Sequence, residues 1–231
     1  MNWRVLPRKL RRWLRSRGLN VERVWTVDYW AEAESARLLA QMDGRTLLDA
    51  DRLQVLAVLL NLTRQAKGDL AEAGVYQGGS ARLIRNVADT FGGQQRELFL
   101  LDTFGGMPAI TTPGSDLHSA GDFGDTSLIQ VQQYLSDLDR ITFLPGLFSE
   151  RFSDIAERKF SFVHVDCDLY ESTRQCTAFF GDRLSPGGVM AFDDYGFRSC
   201  PGAKQAVDEW AEDTGRLVAW LPTGQAFTIA Q

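Results

Sequence analysis

Short apolar runs alternate with helix-period segments through most of the chain. Residues 162–165 and 188–192 are apolar and rich in β-branched or aromatic side chains, as central parallel strands covered on both faces are. Helical segments separate such runs, which predicts βαβ units and a largely parallel sheet. We therefore expect an α/β fold with helices on both faces of the sheet.

The pattern of apolar and polar residues also predicts the remaining strands and helices. Strands are predicted at residues 69–75, 97–101 and 140–144. Helices are predicted at residues 81–91, 126–138, 149–157 and 172–183, and around Ala203, Val207 and Trp210. Two extended runs, residues 217–221 and 226–230, flank a Pro/Gly turn and predict a hairpin. We expect this hairpin to give the otherwise parallel sheet one antiparallel edge strand.

Residues 1–67 are predicted to form a helical N-terminal extension or cap, and residues 68–231 the main domain. Residues 26–66 predict two helices, the second capped by Asp49 or Asp51. Residues 3–15 place Trp and Leu at helical spacing opposite arginines. Such a helix can lie on an anionic membrane surface or dock on its own domain or on a second subunit, and these alternatives stay open. We also expect a homo-oligomer.

Charge is unevenly distributed along the 231 residues. Residues 1–18 carry seven basic side chains and no acid, so with a net charge of −5 the remainder carries −12. An acidic body argues against a nucleic-acid groove. No apolar run has the length of a membrane span, and no secretory signal is evident. The three cysteines show no zinc spacing, which predicts reduced thiols and a cytoplasmic location.

Acidic side chains end two of the predicted strands. Asp166 and Asp168 follow the run 162–165, and Asp193 and Asp194 follow the run 188–192. Open α/β sheets bind ligands outside the carboxyl ends of their strands, so these acids should converge. Like charges at that spacing repel unless a cation lies among them. The pattern predicts a divalent metal site of oxygen ligands.

A glycine-rich turn follows the first predicted strand. Gly78 and Gly79 permit close approach of a ligand, and the following helix offers free N–H groups. The dinucleotide fingerprint is not met, because Tyr76 stands where its second glycine belongs. Asp102 ends the second strand, where it can accept hydrogen bonds from ribose hydroxyls or simply cap a turn. Turn and acid together favour an adenosyl ligand.

Residues 103–125 predict a long loop of the kind that covers a site, and this loop contains His118. Asp168 is a candidate general base, although an Asp at a helix start is often an N-cap. His118 is a rival candidate base. His164 is expected to be a hydrogen-bonded core residue.

Five motifs occur in order between about residues 69 and 210. They are Glu72-x-Gly74-x-Tyr76-x-Gly78-Gly79, Leu101-Asp102-Thr103-Phe104-x-Gly106-x-Pro108, Phe143-Leu-Pro-Gly146-x-Phe148, Asp166-x-Asp168-x-Tyr170-x-Ser172-Thr173, and Leu184-Ser-Pro-Gly-Gly188 leading to Asp193-Asp194-Tyr195. Together they resemble the macrocin O-methyltransferase family. That resemblance implies a Rossmann-like class I methyltransferase fold, with a seven-stranded, mostly parallel sheet whose last strand is antiparallel.

The resemblance also implies a reaction and its residues. It implies Mg²⁺-dependent transfer of a methyl group from S-adenosylmethionine to a sugar hydroxyl of a glycosylated natural product or polysaccharide. It implies Asp166, Asp193 and Asp194 as metal ligands and Asp168 as the base. The implied cofactor-binding residues are Glu72, Gly74, Tyr76, Gly78, Ser80, Asp102, Leu147, Phe148 and Asp166. A dinucleotide-dependent oxidoreductase, a metal-dependent phosphohydrolase and a non-catalytic module of the same fold are the alternatives.

Overall fold

A computed structural model of the protein describes residues 33–91, 95–109 and 115–231. The predicted basic helix at residues 3–15 lies outside this part of the chain, as do residues 110–114 of the predicted loop. Among the described residues, no helix has both the length and the apolar character needed to cross a membrane.

A seven-stranded sheet organises the described chain, in the order β3-β2-β1-β4-β5-β7-β6. The strands are β1 (Asp69–Ala73), β2 (Leu98–Asp102), β3 (Ile141–Pro145), β4 (Phe160–Val165), β5 (Leu184–Phe192), β6 (Ala219–Trp220) and β7 (Ala226–Ile229). β1 to β5 are parallel, and β7 runs antiparallel to both of its neighbours. The predicted fold class is confirmed, with one correction. The antiparallel strand is not the edge, because the two-residue β6 pairs outside it.

Helices cover both faces of the sheet. They are α1 (Ala33–Met42), α2 (Ala50–Leu62), α3 (Gly79–Asp89), α4 (Leu128–Tyr134), α5 (Phe148–Arg151), α6 (Tyr170–Gly181) and α7 (Pro201–Thr214). Neighbouring residues of one strand face opposite sides, so Leu70 joins the core under α2 and α3, whereas Ala71 joins the core under α6 and α7. Burial on both faces explains why most residues of β1, β2 and β4 are apolar.

The helices that precede β1 are built into the main core. Asp49 caps α2, since its Oδ1 accepts the Arg52 N–H at 2.9 Å. Leu53, Leu56 and Leu60 of α2 belong to the same buried cluster as α3 and the sheet. This packing fixes the position of α2 relative to the strands and brings Arg52 to the carboxyl ends of β4 and β5.

The direction of sheet growth reverses between β1 and β4. From β1 the chain adds β2 and β3 on one side, and then returns to add β4 and β5 on the other. Ligands of such sheets bind at this switch point, outside the carboxyl ends of the strands. The candidate site lies there.

Candidate functional site

One cavity, of about 270 Å³, opens at the carboxyl ends of β1 and β4. That volume is near the lower end of the range for small-molecule sites, roughly 300–1,000 Å³. The predicted site residues that line it are Gly74, Tyr76, Ser80, Asp102, His118, Leu147, Phe148, Asp166, Asp168 and Asp194. Glu72, Gly78 and Asp193 lie behind this wall, where they contact or support the lining residues.

The turn after β1 is held against the end of β4. Gly74 has a φ of +90°, and a Cβ at this position would lie 1.6 Å from the carbonyl oxygen of Asp166. Only glycine fits both the backbone angle and the close approach. The predicted cofactor turn and the predicted carboxylate cluster are therefore in direct backbone contact.

Asp102 organises the same turn. Its Oδ2 accepts the N–H groups of Val75 at 2.6 Å and Tyr76 at 3.0 Å. Its Oδ1 accepts the N–H of Phe104 at 2.6 Å. Each carboxylate oxygen has more than one acceptor site, so capping the turn leaves capacity to accept a ligand hydroxyl. Both predicted roles of Asp102 are compatible with this geometry.

The turn also contacts the loop that contains His118. The phenol of Tyr76 donates to Asp125 Oδ2 at 2.7 Å, and Gln77 Nε2 donates to the Asp125 carbonyl at 2.9 Å. Gly78, with a φ of +87°, is the N-cap residue just before α3. Ser80, in the first turn of that helix, is buried and lines the cavity.

Three carboxylates converge on the other side of the cavity. Asp166, Asp193 and Asp194 each offer an oxygen, and these oxygens lie within 4.8 Å of one another. Asp193 and Asp194 are buried, and Asp166 is half-buried. Burial raises the pKa of Asp166, and the charge of Asp193 raises it further. Burial likewise raises the pKa of Asp194, with further increases from the charges of Asp168 and Asp166.

Asp193 differs from the other two because protein groups already surround it. Its Oδ2 forms an ion pair with Arg52, and its Oδ1 accepts from Gln225 Nε2 at 2.9 Å. His164 Nε2 lies 3.8 Å from Oδ1. Burial would raise the pKa of Asp193, but His164, Arg52 and Gln225 outweigh it and hold the pKa low.

His164 connects this cluster to β1. It is fully buried in β4, and its Nδ1 lies 2.9 Å from Glu72 Oε1. Burial would lower the pKa of His164, yet the nearby carboxylate of Asp193 and the hydrogen bond to Glu72 raise it to about 10. The expectation of a hydrogen-bonded core histidine is confirmed, and this one lies between a predicted cofactor residue and a predicted metal ligand.

The cluster fits a hard divalent cation. Its donors are all carboxylate oxygens, which Mg²⁺ prefers. Neither Asp166 nor Asp194 forms an ion pair within the described part of the chain, and the charges of His164 and Arg52 offset only part of the rise in the pKa of Asp166. Arg52 forms its ion pair with Asp193, and its charge also lowers the pKa of Asp166.

Asp168 lies next to the cluster and faces the cavity. Its φ of +56° is in the left-handed region, which Asp tolerates better than most residues. Its N–H donates to Asp194 Oδ2 at 2.9 Å, which fixes the backbone. Its Oδ1 lies 3.7 Å from His118 Nε2 and 3.2 Å from Cys200 Sγ. Both candidate bases are thus in one place.

Comparison with known proteins identifies the family. The family described as Macrocin-O-methyltransferase (TylF) matches residues 11–217. The chain belongs to the macrocin O-methyltransferase family.

Named relatives agree with this assignment. The chain is 31% identical, over 59% of its length and 56% of the relative's, to 8-demethyl-8-(2,3-dimethoxy-alpha-L-rhamnosyl)-tetracenomycin-C 4'-O-methyltransferase of Streptomyces olivaceus. It is 30% identical, over 64% of its length and 62% of the relative's, to mycinamicin III 3''-O-methyltransferase of Micromonospora griseorubida. The chain therefore spans under two thirds of the length of each of these relatives.

A solved structure supports the class I methyltransferase fold. The O-methyltransferase NovP superposes with a TM-score of 0.71 over 88% of this chain and 92% of NovP, at 23% identity. For this member of the macrocin O-methyltransferase family, the roles of individual site residues remain predictions. The structure shows which of those residues are close enough to act together.

Three site residues were not anticipated from the sequence of this family member. Arg52 and Gln225 contact Asp193, and Cys200 contacts Asp168. They come from α2, from the β6–β7 turn and from the segment before α7. No local motif marks them, and only the packing of distant elements brings them to the site.

Proposed function

We propose that this protein is a Mg²⁺- and S-adenosylmethionine-dependent O-methyltransferase that acts on a sugar hydroxyl of a small glycosylated natural product. One observation carries the proposal. The glycine turn with Asp102 and the three-carboxylate cluster with Asp168 line or support one cavity. The first group suits an adenosyl ligand, and the second suits activation of a hydroxyl.

The cofactor would bind along the turn after β1. Gly74, Tyr76 and Ser80 line this side, and α3 begins there, so its N-terminus would favour an anionic or polar group of the cofactor. Asp102 would accept hydrogen bonds from the ribose. Leu147 and Phe148 supply apolar surface that suits a nucleobase.

Asp166, Asp193 and Asp194 would hold the metal. A bound Mg²⁺ would lower the pKa of a sugar hydroxyl, which is otherwise a poor nucleophile at neutral pH. Asp168 would accept the hydroxyl proton, and the cavity would orient the acceptor oxygen toward the methyl donor. His118 lies beside Asp168 and could receive that proton in turn.

The relatives bear on the acceptor. The Streptomyces olivaceus and Micromonospora griseorubida proteins are named for O-methylation of a rhamnosyl tetracenomycin and of mycinamicin III. These names favour an acceptor of the same class here. They also favour methyl transfer over the oxidoreductase, phosphohydrolase and non-catalytic alternatives.

Calorimetry tests the cofactor and metal. We expect S-adenosylmethionine to bind, and Mg²⁺ to give a separate heat that Asp166→Asn removes. A nicotinamide dinucleotide should give no heat. Binding of that dinucleotide in place of S-adenosylmethionine would contradict the proposal.

Transfer of labelled methyl groups to paired glycosides and aglycones tests the reaction. We expect label in glycosides only, and none after metal chelation. Asp168→Asn should reduce turnover by at least about 10²-fold, as loss of a general base does, while S-adenosylmethionine binding is retained. Asp208→Asn, on the exposed face of α7, is the control and should keep normal turnover. Unchanged turnover in Asp168→Asn would rule out Asp168 as the base.

A further inference from the structure

A second group of metal-ligating side chains lies on the cavity wall, and its donors differ from those of the carboxylate cluster. His118, Asp168 and Cys200 offer a nitrogen, an oxygen and a sulfur that lie within 4.8 Å of one another. Cys200 Sγ is 3.7 Å from His118 Nε2 and 3.2 Å from Asp168 Oδ1, and His118 Nε2 is 3.7 Å from Asp168 Oδ1. All three residues line the cavity.

These separations are those of ligands around one small tetrahedral ion. Zn²⁺ binds sulfur at about 2.3 Å and nitrogen or oxygen at about 2.0–2.2 Å. With tetrahedral angles, those bond lengths place the ligand atoms roughly 3.3–3.6 Å apart. The observed separations differ from this range by a few tenths of an ångström at most, which a side-chain rotation can supply.

Each of the three residues is also positioned by a further contact, through the side chain for His118 and Cys200 and through the backbone for Asp168. Asp122 Oδ2 lies 3.5 Å from His118 Nδ1, the nitrogen that faces away from the cluster. Ser199 Oγ lies 3.4 Å from Cys200 Sγ, and Asp194 accepts the Asp168 N–H at 2.9 Å. A carboxylate on the remote nitrogen of a histidine is the usual support of a zinc-ligating imidazole.

We propose that His118, Cys200 and Asp168 form a site for a thiophilic divalent ion such as Zn²⁺, with the fourth coordination position open to the cavity. The thiol releases its proton to solvent on binding, and the three side chains donate electron pairs without any change in oxidation state. Sulfur and nitrogen donors select Zn²⁺ over Mg²⁺, whereas the adjacent carboxylates favour Mg²⁺. The cavity thus carries two neighbouring sites of different metal preference.

The site has a consequence that rests on the proposed function. Asp168 and His118 are the two candidate proton acceptors, and a bound Zn²⁺ would occupy the electron pairs of both. Zinc should therefore inhibit methyl transfer even when Mg²⁺ is in excess. Binding itself requires no substrate and no cofactor, so it can be measured whether or not the proposed function is correct.

Cobalt(II) titration tests binding, because a cobalt–thiolate bond gives charge-transfer absorption in the near ultraviolet. The titration is made with excess Mg²⁺, which fills the carboxylate cluster. We expect one Co²⁺ per chain with thiolate absorption, and loss of that absorption when Zn²⁺ is added. Co²⁺ binding without thiolate absorption would overturn the proposal.

Variants assign the signal to the three residues. Cys200→Ser should abolish the thiolate absorption and weaken Zn²⁺ binding by more than the roughly 10–100-fold expected from loss of an outer-sphere partner. Cys167→Ser is the matched control, because Cys167 lines the same cavity outside the group, and it should keep the absorption. Absorption that persists in Cys200→Ser, or that disappears in Cys167→Ser, would contradict the assignment.

His118→Ala gives an independent test if Cys200→Ser folds poorly. The His118 side chain lies in a loop and is 21% exposed, so its removal should leave the core intact. We expect weaker Zn²⁺ binding by a similar factor and less zinc inhibition relative to the variant's own activity without zinc. Wild-type zinc affinity in a folded His118→Ala variant would overturn the proposal.

Discussion

Gly74 lies where the backbone after β1 contacts the backbone after β4, and this contact leaves no room for a side chain. A Cβ at position 74 would lie 1.6 Å from the carbonyl oxygen of Asp166, which excludes every residue other than glycine. Gly74 directly follows β1, so the glycine that marks a cofactor turn in the sequence also meets a packing requirement. A substitution at this position measures the packing requirement.

Gly74→Ala should lower the free energy of unfolding by more than about 4–5 kcal/mol, which is beyond the usual range for one substitution, because the backbone of β4 must move. Gly121→Ala is the matched control. Gly121 has a nearly identical φ of +88°, with nothing within 4 Å of a Cβ. Gly121→Ala should lower the free energy of unfolding by only the strain of a left-handed backbone, about 1–2 kcal/mol. Denaturant unfolding of both variants measures the difference, and equal losses would show that contact with Asp166 is unimportant.

The elements that the sequence predicts well are those whose signal is local. β1, β2 and β4 are buried on both faces, so most of their residues are apolar, and their ends at Ala73, Asp102 and Val165 lie close to the predicted ones. The region predicted as a helix over residues 149–157 is instead one α turn followed by a 3-10 turn, Phe152–Ile155. Spacing alone does not distinguish these two forms.

The contacts that the sequence does not predict join residues that are far apart along the chain. Arg52 and Asp193 are 141 residues apart, and Cys200 and Asp168 are 32 apart. These contacts follow from the packing of α2 on the sheet and from the position of the segment before α7. No local residue pattern predicts either of them. For the same reason, cysteine spacing gave no indication of a zinc site. The candidate ligands come from three separate segments.

The glycine turn and the His118 loop are coupled elements. Tyr76 donates to Asp125, and within the loop Gly121 and Asp122 donate to the carbonyls of Met107 and Ser119. The loop is thereby attached to the turn proposed to bind the cofactor. Occupancy of the turn can then influence the order of the loop that carries a candidate base.

Tyr76→Phe should loosen this attachment without disturbing the core. Loss of a hydrogen bond to a carboxylate costs about 1.5–3 kcal/mol, which predicts amide exchange at Gly121 and Asp122 at least about tenfold faster. Tyr195→Phe is the control, because its phenol also donates to a carboxylate at 2.7 Å, that of Asp208. Hydrogen exchange should show the change in the first variant only. Equal protection of the loop in both variants would mean that Tyr76 does not hold it.

Over the whole molecule, charge is arranged along a buried line that crosses the sheet. Glu72, His164, Asp193 and Arg52 alternate in sign from β1 to α2. Asp166 and Asp194 lie beside this line without a cationic partner among the described residues. The cluster of Asp166, Asp193 and Asp194 thus contains one carboxylate that forms an ion pair and two that do not, which is the charge balance expected of a site completed by a cation.

This charge balance predicts that substitutions at two adjacent residues change the stability of the metal-free protein in opposite directions. Asp193→Asn should destabilise the metal-free protein by about 3–5 kcal/mol, because it leaves the cation of Arg52 without its anion and removes one of the two carboxylates beside His164. Asp194→Asn should raise the metal-free melting temperature, because it removes repulsion while the amide oxygen still accepts the Asp168 N–H. Mg²⁺ should raise the melting temperature of the wild type by mass action and of neither variant. Thermal unfolding with and without Mg²⁺ measures all three.

If Asp194→Asn proved less stable than wild type without metal, or kept the Mg²⁺ shift, Asp194 would not be an unneutralised ligand. Repulsion among these acids would then not be what draws a cation into the cavity.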